Sequence, residues 1–117
     1  DLETLLNNYR NSPKDYDAVV DLGYHYLDID DFDNAVKYFS EAHDLEPENP
    51  EAVEQLAFAY RELRNYAKAL EYYYIADKLE PDENWILKNI GWCLSSMGRY
   101  EEALEYHIRV NRTETSD

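Results

Sequence analysis

Apolar side chains recur at i, i+3 and i+4 along the chain, with Ala, Leu, Glu and Lys abundant throughout. That spacing puts the apolar groups on one stripe of a helix and predicts helix throughout. The run is broken at Pro47, Pro50 and Pro81, since Pro cannot continue a helix and biases the residue before it away from helical geometry. Two kinds of helix alternate in the reading. Helices of type A cover 17–29, 51–63 and 85–97, and helices of type B cover 33–46, 67–80 and 101–112. Asn49 and Asn84 stand where each could cap the helix that follows.

The pattern has a period. Ala35, Ala69 and Ala103 lie 34 residues apart, and so do Phe32, Tyr66 and Tyr100. Gly23, Ala57 and Gly91 keep the same step, as do Leu22, Leu56 and Ile90. The chain therefore divides into units 16–49, 50–83 and 84–117, each an A–B pair. Small residues mark close helix crossings, at Gly23, Ala57 and Gly91 on A and at Ala35, Ala69 and Ala103 on B. Larger ones fill the remaining space: Tyr26, Tyr60 and Leu94 on A, Phe39, Tyr73 and His107 on B. One pair cannot bury its apolar face alone, and stacking successive pairs makes a continuous core. Residues 1–15 read as the B helix of a preceding unit, with Leu2, Leu5, Leu6 and Tyr9 facing 16–49. On that reading the chain starts inside a longer array.

These residues resemble the tetratricopeptide repeat. The first unit carries LGYHY (Leu22 to Tyr26), AVKYF (Ala35 to Phe39), Ala42 and Pro47. The second carries LAFAY, ALEYY, Ala76 and Pro81, and the third IGWCL, ALEYH and Val110. The resemblance covers 16 to about 111. Val19, Val53 and Leu87 replace the pattern's early Trp, and Thr115 stands where Pro is expected. The resemblance implies an all-α solenoid of antiparallel helix pairs, a right-handed superhelix with the A helices on its concave face.

The same resemblance supplies a register for the groove. Tyr24, Phe58 and Trp92 become an aromatic ladder, joined by Trp85. Asp17, Asp21, Glu51 and Glu54 place acid around its first rungs, and Arg61, Lys88 and Asn89 also turn inward. An aromatic strip flanked by carboxylates suits a peptide or protein partner with apolar anchors and Lys or Arg. The competing reading is that these rings only touch neighbouring helices. Members that grip acidic chaperone tails use Lys, Asn and Arg at set groove positions. Here those positions hold Val20, Tyr24, Gln55, Trp85 and Asn89, so no such clamp is expected.

Charge narrows the partners. With 26 acidic against 11 basic side chains, the net charge is -15. That balance argues against nucleic acid and against anionic membrane surfaces, both of which need surplus Lys and Arg. The single Cys93 permits no internal disulfide and no cysteine metal framework. The composition leaves the compartment open.

LDIDDFDNA (Leu27 to Ala35) invites comparison with a calcium loop. Counting from Asp28, however, the fifth residue is Phe32, the sixth Asp33 and the twelfth Phe39, where oxygen ligands, Gly and Glu are required. A turn is expected. His25, His43 and His107 occupy different places in their units, and no nucleophile–base spacing or phosphate loop is present. The reading is of a protein-interaction module with no enzyme activity, cofactor or metal. Tyr100, Leu104 and Ile108 lie on the last B helix, where an uncovered strip would invite a homodimer. The alternative function is a structural segment of a longer solenoid with no ligand of its own.

Overall fold

The computed structural model describes the backbone of residues 1–115 and the side chains of residues 1–110 and 112. Among these residues there are seven helices and no strand: α1 (Leu2–Asn11), α2 (Tyr16–Asp28), α3 (Phe32–Leu45), α4 (Pro50–Glu62), α5 (Tyr66–Leu79), α6 (Asn84–Ser96) and α7 (Tyr100–Thr115). The helices pair as α2 with α3, α4 with α5 and α6 with α7, while α1 packs on α2, α3 on α4 and α5 on α6. Because each helix packs chiefly on its chain neighbours, the molecule is drawn out, 47 × 28 × 20 Å. Its radius of gyration is 15.7 Å, against about 13 Å for a compact chain of this length.

All six helices of the pairs start one residue before the sequence expectation, and side-chain caps mark the starts of α3, α4 and α5. Asn49 caps α4, its side-chain oxygen accepting from the Glu51 N–H at 3.0 Å, with Pro50 in the first helical turn. The expectation for Asn84 is corrected: Glu83 holds the cap position of α6 and Asn84 is the first helical residue. The period itself puts Glu83 opposite Asn49. Asp31 and Asn65 cap α3 and α5, accepting from the N–H groups of Asn34 at 3.3 Å and Lys68 at 3.2 Å.

The aspartate run is a helix–turn–helix link. Asp30 adopts a left-handed φ of 59°, and its equivalents Arg64 and Gly98 have φ 62° and 78°. After each, an N–H reaches back to a carbonyl in the last turn of the A helix: Asp31 to Tyr26 at 2.9 Å, Asn65 to Tyr60 at 2.9 Å, Arg99 to Leu94 at 2.8 Å. This bond closes the helix on itself and releases the chain toward the next one. Asp and Gly tolerate the left-handed site better than Arg does.

The core forms two touching clusters. Val19, Leu22, Phe39 and Leu56 anchor the first, onto which Leu2, Leu5, Leu6 and Tyr9 of α1 pack. Val53, Tyr73, Ile86 and Ile90 anchor the second. A Cβ added at Gly23 would lie 2.8 Å from the Phe39 ring, and one added at Gly91 would lie 2.8 Å from the His107 ring. The two glycines therefore exist to admit a ring from the facing helix. The core expectation for His107 needs correction: it covers Gly91 but is exposed, since no further helix among the described residues lies over it. The abundant tyrosines stack within the pairs, Tyr26 on Tyr38 at 5.6 Å and Tyr60 on Tyr72 at 5.7 Å, both nearly parallel.

Candidate partner-binding groove

The α2 end of the surface is held by tyrosine–carboxylate bonds. Tyr16 and Tyr24, both on α2, donate to the two carboxylate oxygens of Glu51 on α4 at 3.0 and 3.1 Å. Burial, then the Glu51 hydrogen bond, raises Tyr24 to about 12, and the same two causes raise Tyr16 further. Both hydroxyls therefore stay protonated donors at neutral pH. Glu54 lies one turn along α4. Burial comes first and the hydrogen-bonded Glu80 carboxyl second, with Glu51 and Glu83 adding repulsion, in raising Glu54 to about 8. Asp17 and Asp21 are exposed on α2.

The aromatic residues do not form a free-standing ladder. Tyr24 packs edge-on against Phe39 at 5.1 Å, Phe58 against Phe32 at 6.3 Å and Trp92 against Tyr66 at 5.2 Å. Phe32 and Tyr66 are each the first residue of a B helix, so each ring seats the following A helix on the previous pair. Tyr24 and Phe58 are half-buried by this packing, the contact with neighbouring helices that the competing sequence reading gave these rings. Trp85 and Trp92 stay 41% and 45% exposed.

Between α4 and α6 the surface opens into a cleft of about 500 Å³ lined by Arg61, Glu62, Trp85, Lys88, Asn89 and Trp92. Arg61 is its centre. The guanidinium carbon lies 5.3 Å from the Phe58 ring and 5.2 Å from the Trp92 ring. One terminal nitrogen donates to Asn89 Oδ1 at 2.6 Å, and Asn89 Nδ2 donates to the Trp85 carbonyl at 2.8 Å. That second bond fixes which way the Asn89 amide points. A smaller space of about 350 Å³, lined by Glu54, Gln55, Phe58, Arg61, Tyr73, Trp85 and Asn89, continues toward the acidic side.

The structure thus gathers Phe58, Trp85 and Trp92 around Arg61, and joins Tyr24 to Glu51 separately. The sequence reading placed Arg61 in the groove but gave it no role. Its signal was there: it falls two helical turns beyond Glu54 on the same face of α4. Cys93 is buried on α6, and burial pushes its thiol up to about 11, which disfavours the reactive thiolate. Among the described residues no group of three or more His, Cys, Asp or Glu could hold a metal ion, and no helix is long and apolar enough to cross a membrane.

Tetratricopeptide repeat models match residues 20–84 and 86–116. The chain belongs to the tetratricopeptide repeat family. Tetratricopeptide repeats build protein-interaction scaffolds, and that is the class of function the family brings. Solved structures agree in fold. MamA AMB-1 superposes with a TM-score of 0.92 at 25% identity, over 98% of this chain and 63% of that one. MamA MSR-1 gives 0.86 at 25% identity, over 96% and 64%. A further crystal structure of MamA protein gives 0.89 at 22% identity, over 96% and 61%. This tetratricopeptide chain therefore spans less than two thirds of the length of each of the three, as a right-handed superhelix of antiparallel helix pairs. No curated protein sequence matches it.

Proposed function

We propose that this tetratricopeptide chain is a non-enzymatic scaffold or adaptor that holds a peptide or protein segment in its concave groove. One observation carries the reading: two indoles, Trp85 and Trp92, stand exposed side by side on a cleft large enough for side chains. Large rings left in water beside a cleft are the usual anchors of a partner. Trp85, Trp92, Phe58 and Tyr24 supply the apolar contacts. Asp17, Asp21, Glu51 and Glu54 favour a Lys or Arg on the partner, in keeping with the net charge of -15. Acidic chaperone tails are excluded by the same charges.

The test compares capture of partners from a lysate of the source cells by the wild type and by Trp85→Ala/Trp92→Ala. Because Trp92 also packs against Tyr66, circular dichroism and a melting curve first check that the variant stays folded. Loss of a captured partner supports the groove. Partners retained by the variant move the site elsewhere, and no partner for either favours the structural-segment reading.

A second reading rests on α7. Tyr100, Leu104 and Ile108 are 70%, 58% and 45% exposed on one helix, where an array would place its next helix. This strip pairs with a second copy of the chain, or with a further repeat of a longer solenoid.

A further inference from the structure

We infer that Arg61 binds a carboxylate of the groove's occupant, so that the groove takes a segment of mixed charge rather than a uniformly basic one. The inference rests on the groove reading and names the chemistry of its ligand.

Arg61 is set for this task. Stacking against Phe58 and Trp92 and the bond to Asn89 hold the guanidinium plane still before any partner arrives. Arg carries five N–H donors. The Asn89 bond occupies one of them. The Nε group is buried and out of a ligand's reach, and the second terminal nitrogen forms an ion pair with Glu62 at 3.8 Å, too long for a hydrogen bond, so terminal N–H groups remain for a ligand. A fixed planar cation with open donors is matched by a carboxylate, which can take two of them at once. The indoles of Trp85 and Trp92 lower the local dielectric and strengthen that pairing. Lys88 and Glu62 line the same cleft, so its charge is mixed.

The spacing of charges on α4 then sets a rule for the partner. Glu54 and Arg61 lie two turns apart on one face, about 10 Å along the axis. An extended peptide advances about 3.3 Å per residue. A segment lying along α4 therefore carries Lys or Arg over Glu54 and, about three residues away, Asp or Glu against Arg61. The residues between them meet Phe58 and the indoles and are apolar. A wholly acidic peptide meets Arg61 but is repelled by Glu51, Glu80 and Glu83, which keeps chaperone tails out.

The experiment is selection of a random decapeptide display library on the intact chain, repeated with Arg61→Gln, Arg61→Lys and Glu54→Gln. Melting curves check that each variant is folded. Wild type is expected to enrich peptides with the basic–acidic spacing. Arg61→Gln should lose the acidic preference and keep the basic one, Arg61→Lys should retain it in part, and Glu54→Gln should lose the basic one. For one enriched peptide, changing its acid to the amide should weaken wild-type binding roughly tenfold or more, and should leave Arg61→Gln binding unchanged. Enrichment of basic peptides with no acidic position overturns the role of Arg61 and leaves the groove reading intact. An acidic preference that survives in Arg61→Gln overturns it too. No enrichment at all overturns both.

Discussion

Gly23 and Gly91 occupy the same place in their repeats, yet they should not respond alike to a methyl group. A Cβ at Gly23 meets three atoms of the Phe39 ring at 2.8, 2.9 and 3.0 Å, and Phe39 is fully buried. The ring has nowhere to go. Overpacking costs about 1–3 kcal/mol, against a return of about 1 kcal/mol for Ala over Gly in a helix. Gly23→Ala should therefore lower stability by about 1 kcal/mol in urea denaturation. At Gly91 the obstructing ring is His107, which is exposed and free to swing outward. Gly91→Ala should be neutral or mildly stabilising. Equal losses at both sites would show that exposure of the facing ring does not decide the outcome.

Between elements, the contact of Glu54 on α4 with Glu80, the C-cap residue of α5, makes stability depend on pH. Burial and the neighbouring carboxyls raise Glu54 from 4.5 to about 8 in the folded chain. The folded state then keeps a proton that the unfolded chain releases. The contribution is complete below about 4.5 and is lost as pH rises through about 8. Denaturation midpoints should fall between about pH 5 and pH 8.5, and fall less in Glu54→Gln, which keeps a neutral hydrogen-bonding group. Tyr16 and Tyr24 titrate far above this window and leave it undisturbed. Identical slopes for wild type and variant would remove Glu54 as the cause. The same proton bears on binding, since a basic side chain over Glu54 must displace it.

The whole molecule is a row of helix pairs whose last exposed strip lies on α7. If Tyr100, Leu104 and Ile108 pair with a second copy, sedimentation at rising concentration should show a monomer–dimer equilibrium. Leu104→Glu with Ile108→Glu should then hold the chain monomeric without loss of helix, because both side chains already stand in solvent. A wild type that stays monomeric throughout ends the pairing proposal. The groove and the strip lie on different helices, so capture by Trp85 and Trp92 should survive those α7 substitutions.

What the residues determined alone was the array. The 34-residue step, the small residues at crossings and the breaks at Pro are local or strictly periodic signals. Each can be read without knowing what lies opposite, because every repeat presents the same partner to the next. Hence the helix pairs were legible almost to the residue, and the aspartate run resolved as a turn. The cap of α6 was misread because Asn84 is a better capping residue than Glu83, while the period put Glu83 in that place. What tertiary structure decided was which side chains share a space. The linkage of Tyr16 and Tyr24 to Glu51, the stacking of Arg61 between Phe58 and Trp92, and the seating of Phe58 on Phe32 are contacts between different helices. Such contacts depend on side-chain direction and on the angle between neighbouring helices, and neither is encoded in spacing along one helix. Exposure of His107 likewise follows from what lies beside α7, a property of the assembled row rather than of the residue.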